Sequence, residues 1–293
     1  MKKIIALIFA AFSFIGLKAQ TNAEEKKDFY IDGATGKLYA ELQYPGEVVH
    51  DVKFPLVIIC HGFTANMNGG IETTLADDVV KNGMAALRFD FNGHGKSEGR
   101  FQDMTVPNEI EDLKCVIKWA QEQPWVESIA ITGHSQGGVV ASMTAGELGD
   151  SVIKAEVLMA PAGVIRDDAL RGSVMGSFYD PWTYEGDYVE LPMERDGEKL
   201  RLGRAYWEAA MVLPIYETAS EYNGPVLIFH GTHDRVVPYT YGMRYDEELK
   251  NSELRLIEGD DHGFGNSTKE ICSYAAEWLK SILHPAPVKP VKI

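Results

Sequence analysis

Cysteine is scarce: Cys60, Cys115 and Cys272 are the whole complement of 293 residues. Each lies in an apolar segment and no two stand at ligand spacing, which argues against a disulfide framework or a thiolate metal site and predicts buried thiols. Basic residues are also under-supplied, 28 Lys and Arg against 43 Asp and Glu for a net charge of −15. Without a run of Lys or Arg there is no surface for a phosphate backbone, so no nucleic-acid partner is expected. No internal repeat is visible. The longest apolar run, residues 4–17, falls short of the roughly 20 residues a spanning helix requires.

That run follows Lys2 and Lys3 and precedes the small residue Ala19. This order reads as a secretory signal peptide over residues 1–19, with an uncleaved anchor as the alternative. Export to the periplasm or beyond is therefore expected. No cysteine stands near Ala19 to carry a lipid.

Hydrophobic residues make up 45% of the chain, enough for one large core. Residues 28–45 read as a hairpin with turn residues at Asp32-Gly33 and Thr35-Gly36. Short continuous apolar runs then appear at 55–60, 85–91, 128–133, 155–160, 225–231 and 253–259. Helical patterns fall between or after them at 71–82, 107–123, 136–148, 239–250 and 268–283. Strands alternating with helices predict an α/β fold, a mostly parallel sheet covered on both faces, as one domain over 28–283. Residues 163–223 break the rhythm and read as an inserted cap, with one hairpin turning at Asp196-Gly197 and helical spacing from Arg204 onward. Residues 284–293 read as an exposed tail.

Gly133, Ser135 and Gly137 form a G-x-S-x-G pattern between a strand and a helix. In that context the serine sits on a strained turn with its Oγ above the sheet, and the flanking glycines spare it crowding. A serine hydroxyl needs a base, and the base an orienting acid. In chain order these are Asp234, beyond one strand, and His262, beyond the next. Asp260 and Asp261 are rivals for the acid, set aside because neighbours in a turn seldom point at one imidazole. His134, His230 and His233 read as packing or supporting histidines, and His284 as solvated. Oxyanion donors are expected from the backbone N–H groups of Gln136, opening the helix, and Phe63, in the loop CHGFTAN. The loop FDFNGHGKSEGRF has no ligand-type spacing, so it reads as a structural brace, with neither metal nor cofactor expected.

The segments HGFTANMNG, LRFDFNGHGKSEGRFQDMTVPNEIEDLK, ITGHSQGGVVASMTAGE and HGTHDRVVPYTYG resemble the α/β-hydrolase esterases that cleave hydroxycinnamoyl esters, the feruloyl or cinnamoyl esterases of gut and rumen bacteria. The resemblance spans about residues 28–283. It implies the catalytic set Ser135, Asp234 and His262, the oxyanion donors Phe63 and Gln136, and a cap closing over an aromatic acyl group. It also implies a polar cap residue, Asp168, at the phenolic hydroxyl, with Tyr206 as its partner. Met175 stands where relatives are expected to carry glutamine. Trp182 is one of several cap aromatics available to wall the ring. The expected activity is a serine carboxylesterase acting on a small or oligosaccharide-linked hydroxycinnamate ester through an acyl-enzyme. The alternatives are the same machinery on other esters, thioesters or peptides, and a fold used only for binding. Oligomeric state is open, a homodimer being one option.

Overall fold

The computed structural model describes residues 24–45, 52–195 and 197–284. The signal segment 1–19, the tail from 285 and Asp196 of the expected hairpin turn lie outside the described residues.

The chain opens with the antiparallel pair β1 (Glu24–Asp32) and β2 (Lys37–Pro45). The α/β units follow: β3 (Phe54–Cys60), α1 (Gly70–Lys81), β4 (Ala85–Phe89), a 3-10 turn at Phe101–Asp103, α2 (Val106–Gln121), β5 (Val126–His134), α3 (Gln136–Leu148) and β6 (Ile153–Met159). The interval before the next long strand holds α4 (Ile165–Arg171), β7 (Ser173–Val174), β8 (Ser177–Phe178), β9 (Tyr188–Arg195), β10 (Glu198–Gly203), α5 (Arg204–Met211) and α6 (Ile215–Ala219). The closing elements are β11 (Val226–Gly231), α7 (Thr240–Glu248), β12 (Ser252–Ile257) and α8 (Thr268–Leu283).

Eight strands form one sheet in the order β1-β2-β4-β3-β5-β6-β11-β12. The pairs from β4 to β12 are all parallel, while β1–β2 and β2–β4 are antiparallel. Both faces are covered, and the strands show why their hydrophobicity is continuous. Along β3, Leu56, Ile58 and Cys60 enter the core beneath α2 and α3. Val57 and Ile59, pointing the other way, enter the core against α1 and α8. Helix α8 answers with Ile271, Cys272, Ala275, Ala276 and Leu279 buried along one stripe. Cys60 and Cys272 are buried and Cys115 half-buried, all three unpaired.

The cap departs from the sequence expectation in two places. Helix α4 and the tiny β7–β8 hairpin were not foreseen, because seven helical residues complete too few turns to show a period. The helical run after Arg204 is broken in two between α5 and α6. Pro214 lacks an N–H and drives Leu213 from helical geometry, so the chain restarts at Ile215.

Candidate active site

Strand β5 ends in the middle of the sheet, and the chain turns at Ser135 with φ 56° and ψ −121° to enter α3 directly. A left-handed φ at a residue with a side chain costs energy and is kept only where the surroundings enforce it. Two contacts do so here. The Ser135 N–H donates to the Met159 carbonyl at 2.9 Å, and its carbonyl accepts from Ala162 at 3.0 Å. The glycines either side are obligatory: a Cβ on Gly133 would collide with the Gly137 backbone, and one on Gly137 with the His61 carbonyl. Ser135 is 8% exposed and lines a cavity.

The loop after β11 carries Asp234 and the loop after β12 carries His262, so both arrive at the same edge as Ser135. His262 Nδ1 meets Asp234 Oδ2 at 2.7 Å, and the Asp234 Oδ1 atom accepts the N–H groups of Val236 and Val237 at 2.9 and 2.8 Å. Burial by itself would raise the Asp234 carboxyl. Hydrogen bonds from His230 and His262 overcome it and hold the group well below the usual carboxylate range. His230 Nε2 lies 2.9 Å from the Val237 carbonyl and 3.3 Å from Asp234 Oδ2. Both neighbours are acceptors, so Nε2 carries the proton.

The rivals named from sequence have other work. Asp260 accepts from the N–H groups of Asp261 at 3.0 Å and Asn266 at 3.3 Å, and Asp261 from Gly263 and Gly265, each at 3.1 Å. Together they shape the loop that presents His262. His134 Nε2 donates to the His262 carbonyl at 2.9 Å. Its own burial, with His262 nearby, depresses its basicity to about 4, leaving it a neutral brace. His61 Nδ1 donates to the Gly62 carbonyl at 2.9 Å and its Nε2 accepts from Phe91 at 3.1 Å. It thereby ties the loop of Phe63 to the end of β4. Asp90 braces the same region, accepting from Met67 and Lys96, each at 2.8 Å. Among the described residues no cluster of His, Cys, Asp or Glu has the arrangement of a metal site.

Gln136 is the first residue of α3, whose leading N–H groups have no carbonyl behind them within the helix. Among the described residues, neither the Gln136 nor the Phe63 N–H is spent on a backbone carbonyl. The helix dipole adds a partial positive charge at the same spot.

Over Ser135 lies a cavity lined by Phe63, Gln136, Ile165, Asp168, Met175 and Tyr206 among others. Asp168 sits half-buried on α4, where burial raises its carboxyl and Arg171, 3.8 Å away, partly opposes that. Met175 lines the rim in the turn between β7 and β8, with φ 48°. Tyr206 lines the wall, but its hydroxyl is bonded to Gln136 Oε1 at 2.7 Å rather than presented to Asp168.

Trp182 does not join them. It is 74% exposed, because Asp180 Oδ1 accepts its N–H at 2.9 Å and turns Pro181-Trp182 outward. Tyr179 and Trp207, with ring centres 4.6 Å apart and planes tilted by 39°, fill the cap interior instead. Sequence reasoning missed Val236 and Val237, which line the cavity from the Asp234 loop. Their only signal is that two apolar residues directly follow the acid.

Several known proteins are similar to this chain. The family described as serine aminopeptidase, S33 (Hydrolase_4) matches residues 53–185. Human ABHD12B is 26% identical over 202 residues, 68% of this chain, and the chain spans only 51% of that protein. Mouse palmitoyl-protein thioesterase ABHD10 is 23% identical over 217 residues, 70% of this chain and 67% of its own. Est1E of Butyrivibrio proteoclasticus, solved with ferulic acid bound, superposes with a TM-score of 0.79 at 31% identity, covering 87% of this chain and 98% of that one. An identity of that size across nearly the whole of Est1E places this chain in the α/β-hydrolase family as a serine hydrolase resembling the feruloyl esterases.

Proposed function

We propose that the protein is a serine carboxylesterase that hydrolyses hydroxycinnamoyl esters. The observation that carries it is the cavity: its lining is largely apolar and includes both Ser135 and one carboxyl group, Asp168. A flat aromatic acyl group bearing a phenolic hydroxyl suits such a lining, the ring meeting the apolar side chains and the hydroxyl the carboxyl group. Est1E, similar along nearly its whole length, holds ferulic acid.

In this reading His262 Nε2 takes the proton of Ser135 as Oγ attacks the ester carbonyl. Asp234 on Nδ1 fixes the tautomer and stabilises the imidazolium. The N–H groups of Phe63 and Gln136 receive the negative oxygen of the tetrahedral intermediate. His262 then gives its proton to the departing alkoxide, and a water repeats the sequence on the acyl-enzyme. Residues 1–19 act as an export signal, placing the enzyme where plant esters reach it.

The test is kcat/KM for methyl ferulate, a C8 alkyl ester and an aminoacyl amide, with Ser135→Ala alongside. Preference for the ferulate by about 100-fold, abolished in the variant, supports the proposal, and removal of the nucleophile should leave only the residual rate from binding and the oxyanion site. Preference for the C8 ester or the amide would transfer the assignment to a lipase-like or peptidase activity.

A further inference from the structure

Two cap residues on different elements reach down to the loops that carry the oxyanion donors. From α5, the Tyr206 hydroxyl donates to Gln136 Oε1 at 2.7 Å. Gln136 Nε2 donates onward to Glu109 Oε2 at 2.8 Å. All three side chains are buried. The first residue of α3 is thus pinned at both ends of its amide, and it cannot shift without breaking a buried bond.

From the end of β9, Arg195 Nη2 donates to the Thr64 carbonyl at 3.1 Å. Its guanidinium lies over the Phe101 ring at 5.6 Å. Thr64 directly follows Phe63 and has φ 60°, a conformation a β-branched residue adopts only when held there. The Phe63 ring is gripped from two sides, by Phe101 at 5.6 Å and by Tyr206 at 5.5 Å.

An oxyanion donor works only when it lies about 3 Å from where the charge develops, and the benefit appears in the transition state rather than in substrate binding. We propose that the cap is a clamp on the oxyanion hole. Tyr206 and Arg195 are positioning residues that hold Gln136 and the Phe63-Thr64 segment in register with Ser135. The cap then contributes to the rate of acylation as well as to the shape of the pocket. This rests on the assignment of the Phe63 and Gln136 N–H groups as oxyanion donors.

Tyr206→Phe deletes one hydroxyl and keeps the ring contact with Phe63. Arg195→Ala deletes the tether to Thr64, and Arg195→Lys restores a single donor. Each variant is assayed on p-nitrophenyl acetate, whose acyl group is too short to touch the cap, and on methyl ferulate, with melting temperature measured in parallel. The clamp predicts that kcat falls about tenfold for Tyr206→Phe and Arg195→Ala, part of the roughly 100- to 1000-fold that loss of a whole donor costs. The fall is the same on both esters, KM stays within about twofold, and Arg195→Lys recovers most of the loss. A loss confined to methyl ferulate makes Tyr206 a substrate contact and overturns the clamp. An unchanged kcat on both esters, or a rise in KM alone, overturns it as well. Failure of the underlying nucleophile assignment shows separately, as turnover of both esters by Ser135→Ala.

Discussion

Asp168 is the residue on which the substrate assignment turns. It is the carboxyl group lining an otherwise largely apolar cavity, where burial raises it and Arg171 partly opposes that. A phenolic hydroxyl bonded to its carboxylate form gains about 1.5 to 3 kcal/mol. Asp168→Ala should therefore raise KM about tenfold or more for methyl ferulate while leaving methyl cinnamate, which lacks the hydroxyl, within about twofold. Equal effects on both esters would remove Asp168 from recognition. At this scale the sequence was legible where chemistry dictates residue type and order. Ser135, Asp234 and His262 each stand at the end of a strand, and the parallel sheet brings those ends together. It was not legible for Trp182 or Tyr206, because the direction of a cap side chain depends on turns such as the one capped by Asp180 and on partners 70 positions away.

Among the elements, α2 does more than cover the sheet. It carries Glu109, which bonds to Gln136 beneath the candidate active site. Its start is specified by Thr105, whose hydroxyl accepts the Asn108 N–H at 3.2 Å, with Pro107 in the first turn. Thr105→Ala should lower unfolding stability by about 1 kcal/mol, measured by urea denaturation. A change below a few tenths would show that packing of Val106, Ile110 and Leu113 alone places the helix. Core elements of this kind were readable because their period repeats over four turns or because both faces of a strand are apolar. The cap elements were readable only in part: β9 and β10 alternate and turn at a glycine, whereas α4 is too short to declare itself and Pro214 splits a run that otherwise looks continuous.

At the scale of the whole molecule, several carboxyls lie in the interior, where burial outweighs whatever stabilises their charge. Burial pushes Glu109 and Glu156 up to about 8 and Glu72 to about 7. Glu156 sits on β6 in the middle of the sheet, and neither of its oxygens has a hydrogen-bond partner among the described residues. Such a group keeps its proton in the native state while the unfolded chain releases it near the ordinary value of 4.5. Stability is therefore full below about 4.5 and lost as pH rises toward about 8. Asp234 acts in the opposite sense, since its depressed value withdraws stability only in acid. Glu156→Gln, which cannot ionise, should lose less melting temperature between pH 5 and pH 9 than the parent chain. An unchanged slope would assign the alkaline loss to other groups. No pattern in the sequence announces Glu156, because a lone acid in the stretch AEVLMA looks the same whether its strand is central or at an edge.

The central claim is that Ser135 forms a covalent ester with a hydroxycinnamoyl group. It is tested most directly by mixing the enzyme with methyl ferulate, quenching in acid during turnover and mapping the modified peptide by mass spectrometry. The account predicts one feruloyl group on the peptide containing Ser135, absent from Ser135→Ala. Turnover of methyl ferulate without that adduct, or with the group on another residue, would contradict it.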